Sequence, residues 1–290
     1  MGHSFTAMGE TDPADRYVNQ PSAQTGSLRR GLLVLSCLGQ AGMPLGLSEL
    51  SHRAGLDKAA VHRVARVLVE SGYLTQDPVT RSYALGLRIL DLGFATLARL
   101  GVRELALPYM HALAEQFTGA SVSLSVLDRG EPLYIERISQ RRISVNVDVQ
   151  VGTRIPAHCS AMGKVLLAAL PREESAALVR TQLLEAWTPR TITSVPLLEA
   201  ELERVRADGY ALNDEETALG LRSLAGAILD AAGRPAAALN VAVAAAELTV
   251  AQLERAVAAV VVAAAADISR HLGHLAPVAG TEPRTGAANR

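Results

Sequence analysis

The sequence predicts a two-domain α+β chain: a small helical domain carrying a β-hairpin, then a larger mixed α/β domain. Two changes along the chain predict it. Up to about Leu100, apolar residues mostly recur at helical spacing; beyond Ala106, long segments alternate with period two. The charge changes with the period. Residues 27–104 carry 10 Lys+Arg against 6 Asp+Glu, whereas residues 105–290 carry 17 against 20. A length of 290 residues, 49% of them hydrophobic, suits two cores.

The elements follow in order. Residues 1–26 mix Gly, Pro, Ser, Thr, Asp and Gln without periodicity, so a disordered arm is expected. The same residues lack the apolar core of a secretory leader. In SLRRGLLVLSCLGQ, Leu28, Leu32, Leu35 and Leu38 mark a first helix. Gly39 to Gly46 is rich in Gly and Pro and reads as a loop. LSELSHRAG gives a two-turn helix with Leu47, Leu50 and Ala54 inward, closed by Gly55. The third helix starts at or just after Asp57, whose carboxylate suits a helix N-terminus. Val61, Val64, Ala65 and Leu68 form its apolar stripe, and Gly72 ends it. YLTQDPVTRSYAL reads as strand, turn and strand about Asp77-Pro78, with Arg81 just beyond the tip. LRILDLGFATLARL is then a longer helical pattern without proline.

The second domain opens with a helix to about Gln116. SVSLSVLDRG and EPLYIERI are strands around an Asp128–Pro132 turn. RRISVNVDVQVG is the cleanest strand: Ile143, Val145, Val147 and Val149 face one way, and Ser144, Asn146, Asp148 and Gln150 the other. SAMGKVLLAAL, PREESAALV and VPLLEAELERVRADG are helices, the last with Pro196 in its first turn and Gly209 closing it. RSLAGAILD and RPAAALNVAV are strands, and a final helix runs from about Thr249 to His271.

Helix, helix, Gly-containing turn, helix and hairpin is the order of a winged helix-turn-helix. If the apolar stripe of the third helix packs inward, the opposite face is free to enter a major groove. That face carries Ala59, His62, Arg63 and Arg66, with Lys58 at the helix start, and Lys58 is one of only two lysines in the chain. Arg81 on the hairpin reaches toward flanking backbone or minor groove. Double-stranded DNA is therefore the expected partner, gripped by the basic front of a chain whose net charge is only −1. Aromatics make up 3% of the residues, so base stacking is not the expected mode.

Other classes fare worse. AVAAVVVAAAA, the most apolar run, is too short for the roughly 20 residues of a membrane helix, so no membrane partner is expected. Cys37 and Cys159 make no disulfide framework, and a reducing cytoplasm is expected. No Cys/His group has metal spacing and no Gly-rich phosphate loop occurs, so neither metal nor cofactor is expected. His158 and Cys159 are adjacent and point apart, which disfavours a catalytic pair; the chain is not expected to be an enzyme.

The combination SLRRGLLVLSCL with LSELSHRAGLDKAAVHRVARVLVESGYL resembles the N-terminal domain of IclR-type transcriptional regulators. VGTRIPAHCSAMGKVLLAAL and GYALNDEETALGLRSLAGAILDAAG resemble that family's ligand-binding domain. The likeness spans residues 27–273, and its wording is most similar to the branch controlling protocatechuate, p-hydroxybenzoate and β-ketoadipate catabolism. It implies a winged helix-turn-helix over 27–84, a linker helix over 85–104, a GAF-like α/β effector domain over 105–275 and a disordered tail over 276–290. It also implies a homodimer or dimer of dimers built on the first domain and linker, where Leu87, Leu90, Phe94 and Leu97 would pack.

The resemblance implies a small carboxylate effector, aromatic or dicarboxylic, held against one side of the sheet. Carried over by motif, the first segment gives Ile155, His158, Ser160, Ala161 and Met162. The second gives Asn213, Leu221 and Ser223. The late strand gives Asn240 and Ala242, and the alternating strand Ser144 and Val147. Backbone N–H groups at the start of SAMGKVLLAAL suit an anion, and Arg137 and Arg154 are candidate carboxylate partners. His158 could instead bond to backbone, and Arg222 could pair with the acidic run DEE. The remaining alternative is a GAF-like sensor acting through protein partners.

Overall fold

A computed structural model describes residues 26–139 and 149–274 of the chain. The expected arm, most of the alternating run after Gln140, with Ser144 and Val147, and the tail lie outside the described residues. The chain divides into two compact units between Arg99 and Leu100.

The first unit contains α1 (Gly26–Ala41), α2 (Leu47–Ala54), α3 (Lys58–Glu70), β1 (Leu74–Gln76), β2 (Tyr83–Leu85) and α4 (Arg88–Ala98). Val34, Cys37 and Leu38 from α1 meet Leu50, Val61 and Ala65 in one core, closed by Leu45, Leu74 and Tyr83. The α2–α3 turn depends on Gly55, which takes φ +62° and donates its N–H to the end of α2. Ser51 Oγ donates to the Leu56 carbonyl at 2.6 Å and ties off the same turn. β1 and β2 pair antiparallel, and Leu45 exchanges both backbone hydrogen bonds with Tyr83, so the hairpin is anchored to the loop before α2. Among the expected linker positions, Leu87, Leu90 and Phe94 of the α4 region are exposed at 81%, 48% and 62%.

The linker expected over 85–104 is not one helix. Leu100 leaves helical geometry (φ −88°, ψ 76°), and α5 (Gly101–Gln116) starts after it. The second unit continues with β3 (Ser121–Asp128), β4 (Glu131–Ser139), a 3₁₀ turn at Ala157–Cys159, α6 (Ala161–Ala169), α7 (Arg172–Thr181) and α8 (Val195–Asp208). Then come β5 (Tyr210–Asp214), β6 (Leu221–Leu229), β7 (Pro235–Ala244), α9 (Val250–Leu253) and α10 (Ala259–His271). The five strands form an antiparallel sheet in the order β4-β3-β7-β6-β5. A π-helical turn, Glu254–Ala258, separates α9 from α10 where the sequence suggests one uniform helix.

Period-two alternation gives this sheet two unlike faces. Val122, Leu124, Leu224, Leu239 and Val241 share one face through the strand registers. Gly226 belongs to that face and lies under α10, where an added Cβ would come within 3.3 Å of Val261 and Ala265. The other face carries Ser121, Ser123, Ser125, Asn240, Ser223 and Asn213, interleaved with alanines. Helix α6 covers part of it: Met162, Val165 and Leu166 share a core with Ala225 and Ala238. A small-residue, hydroxyl-rich sheet face under an apolar helix is a suitable wall for a small polar ligand.

Candidate nucleic-acid interface and ligand cavity

The first candidate site is the outer face of α3. Asp57 caps the helix by accepting from the Ala60 N–H at 2.8 Å. With Ala60, Val61 and Ala65 buried, Lys58, Ala59, His62, Arg63 and Arg66 are all exposed. Arg66 lies 3.6 Å from Glu70 one turn on, an exposed pair of little energetic weight. At the hairpin tip the Asp77 carboxylate accepts from the N–H groups of Thr80 and Val79 at 2.7 and 2.8 Å. Those bonds lower the Asp77 pKa, the Thr80 bond most. Arg81 follows with φ +58° and an exposed side chain.

The second candidate site is a cavity between the polar sheet face and the start of α6. Of the sequence-derived effector residues within the described chain, Ile155, Ser160, Ala161, Asn213, Leu221, Ser223, Asn240 and Ala242 line it together. Tyr134, Val149 and Thr217 line it as well and were not singled out from the sequence. Arg137, a candidate carboxylate partner, also lines it. His158 and Met162 are not among the lining residues. Met162 is fully buried, with Ser125 Oγ donating to its sulfur at 3.1 Å. His158 Nε2 lies 2.9 Å from the Glu185 carbonyl; a ring protonated there donates to it. Burial pushes the His158 pKa down and keeps the ring neutral. Arg154 pairs with Asp128 instead of facing the cavity.

A β-bulge explains how Tyr134 and Arg137 reach one cavity although they are three residues apart. Ser123 pairs with Arg137 and Ser125 with Tyr134, with the register shift between Leu124 and Ser125. Arg137 is held over β3: Nη2 donates to Ser121 Oγ at 3.0 Å and Nη1 to Ser123 Oγ at 3.4 Å. Burial raises the pKa of the Tyr134 phenol, which stays protonated.

The opposite wall is tied together by hydrogen bonds. Asn213 Oδ1 accepts from the Glu216 N–H at 2.8 Å, and Asn213 Nδ2 donates to Thr217 Oγ1 at 3.1 Å. Thr217 Oγ1 in turn donates to the Cys159 carbonyl at 2.7 Å, joining the β5–β6 loop to the segment before α6. Beneath this wall Lys164, 1% exposed, donates to Glu216 at 2.6 Å and Glu201 at 3.2 Å. Burial pushes the Glu216 carboxyl up, and Lys164 opposes that shift. Arg222 pairs with Asp214 at 2.6 Å and Glu215 at 3.3 Å, so it braces the acidic run. Ser160 Oγ caps α6 through the Gly163 N–H at 3.1 Å. Burial drives the Cys159 thiol up to about 12, which suppresses thiolate at neutral pH.

Known proteins place these two sites in context. The model of the IclR helix-turn-helix domain matches residues 27–78, and that of the bacterial transcriptional regulator IclR C-terminal domain matches residues 94–270. The Pca regulon regulatory protein of Pseudomonas putida is 34% identical over 263 residues, covering 90% of this chain and 89% of that protein. A candidate transcriptional regulator of Rhodococcus sp. RHA1 is 34% identical, with a TM-score of 0.74 over 85% of this chain and 98% of its own. An IclR homolog of Microbacterium hydrocarbonoxydans, solved as a complex with 4-hydroxybenzoate, is 27% identical, with a TM-score of 0.72 and the same two coverages. With a matching helix-turn-helix and a matching effector domain in the family's order, the chain belongs to the IclR family of transcriptional regulators.

Proposed function

We propose that this regulator grips double-stranded operator DNA as a homodimer or dimer of dimers in the cytoplasm. A small carboxylate, aromatic or dicarboxylic, modulates that grip from the cavity of the second unit, and the genes controlled belong to aromatic-compound catabolism. The observation that carries the DNA part is the outward cationic face of α3, with Lys58, His62, Arg63 and Arg66 exposed while its apolar stripe packs inward. Support for an acid effector comes from a cavity that combines Arg137 with Ser and Asn side chains and apolar walls. The Pca regulon relative and the 4-hydroxybenzoate complex of the Microbacterium homolog support the pathway assignment. Control then follows from linkage: an acid that binds one arrangement of the oligomer better shifts it, with coupling of roughly 1–3 kcal/mol. Catalysis is not part of the proposal, because Cys159 is buried and its thiol strongly disfavours ionisation.

Fluorescence anisotropy with duplexes from the promoter regions beside its own gene tests the DNA assignment. Affinity should fall steeply with salt, as phosphate contacts require. Reversal of Arg63→Glu with Arg66→Glu should weaken binding at least about 100-fold while leaving the melting of the second unit unchanged. Unchanged affinity in the double variant would remove α3 as the reading helix and favour a partner other than DNA.

A further inference from the structure

Helix α4 follows the hairpin of the first unit, yet none of its residues belongs to that unit's core. Every described side chain of α4 is exposed or half-buried. Little packing along its length therefore fixes the direction in which α4 leaves the reading helix α3. That direction is set at its first turn.

The joint is built from two short segments lying side by side, one leaving α3 and one entering α4. Gly86 N–H donates to the Tyr73 carbonyl at 2.8 Å. A Cβ on Gly86 would lie 2.3 Å from the Gly72 carbonyl oxygen, so the two backbones touch. Gly72, at φ +76°, and Gly86 both lie in the joint, and glycine backbone by itself resists bending weakly. Arg88, the first residue of α4, reaches across it. Its Nη1 donates to the Ser71 carbonyl at 2.9 Å, and its Cζ stands 5.4 Å from the centroid of the Tyr73 ring. Ser71 is the C-cap of α3, where carbonyls lack partners within the helix and the helix dipole favours a cation. Tyr73 N–H donates to the Leu68 carbonyl at 2.8 Å, so the segment under the guanidinium is itself anchored to the last turn of α3. Small angles matter here. The 11 residues of α4 span about 16 Å, so a tilt of about 12° at the joint displaces its far end by roughly 3.4 Å, one base-pair rise.

We propose that Arg88 is a positioning residue for operator recognition. Its guanidinium fixes α4 against the C-terminal end of α3 and so sets the spacing of the two recognition helices in a dimer joined through α4. This rests on the dimeric DNA-binding reading given above. Arg88 acts through α3 and makes no contact of its own with base or phosphate.

The test uses the operator footprinted beside the protein's own gene, and two copies with one base pair inserted or deleted between the half-sites. Fluorescence anisotropy of the full chain reads affinity, circular dichroism melting reads folding and light scattering reads mass. Wild type should prefer the native spacing by at least about tenfold. Arg88→Met should weaken binding to the native spacing roughly five- to tenfold, leave the altered spacings nearly unchanged and keep the wild-type salt dependence. Tyr73→Leu keeps every charge and removes the ring beneath the guanidinium; it should lose part of the same preference, and it decides the matter if Arg88→Met does not fold. A wild-type spacing preference in the folded variants, or an equal loss on all three duplexes, overturns the proposal. An equal loss with a salt slope shallower by about one per arginine makes Arg88 a phosphate contact instead. If wild type is monomeric or binds the three spacings alike, the dimeric reading falls and the proposal with it; if wild type binds no duplex, the DNA reading itself falls.

Discussion

Gly163 sets how closely the loop before α6 approaches that helix. A Cβ there would lie 2.2 Å from Ala157 Cα and 2.4 Å from its carbonyl oxygen, both backbone atoms. Alanine is the better helix former by about 1 kcal/mol, so an unobstructed site would gain stability from Gly163→Ala. The clash outweighs that gain, and the variant should lose about 2–3 kcal/mol in urea unfolding. A neutral or stabilised Gly163→Ala would show that the Ala157–Cys159 turn moves freely away from α6. At this scale the family motifs lead to most of the cavity, because Ser160, Asn213, Ser223 and Asn240 sit in recognisable segments and line it. Tyr134 was not legible, because period two separates positions 134 and 137 and only the bulge at Leu124/Ser125 returns both to one face. Nor did the motif reveal that His158 turns to the Glu185 carbonyl and Met162 to Ser125, since neighbouring residues on one segment point in different directions.

Helix α3 is the element whose boundaries were most readable. Its start carries a carboxylate that bonds the Ala60 N–H, and its apolar stripe repeats at helical spacing. Asp57→Ala should therefore cost about 1 kcal/mol of stability in the first unit, by leaving orphan N–H groups at the helix start. Chemical denaturation followed by circular dichroism measures it, and a loss near zero would mean that Asp57 contributes no cap. Other elements resist such reading. The pattern from Leu87 onward runs through Leu100, where the chain leaves helical geometry before α5. The final helix accommodates a π turn at Glu254–Ala258, although the sequence from Thr249 to His271 contains neither Pro nor Gly. Periodicity along the sequence does not encode breaks of this kind.

For the whole molecule, the exposed apolar residues at Leu87, Leu90 and Phe94 are expected to be covered in the proposed oligomer. A chain of 30.6 kDa should therefore run at two or four times that mass in size exclusion with light scattering. The pair Leu90→Asp with Phe94→Asp should shift it to monomer and weaken operator binding, since a dimer holds two half-sites. A wild-type chain that is monomeric at micromolar concentration would contradict this. By itself the sequence determined the helix-turn-helix, the basic face of its third helix, the two-domain order and the family, because these depend on local period, caps and contiguous motifs. The tertiary structure decided which polar side chains share one cavity and how the Arg137 guanidinium lies over Ser121 and Ser123. Those facts depend on strand order and register among residues far apart in the sequence, such as Ser123 and Asn240, and only the folded sheet brings them side by side.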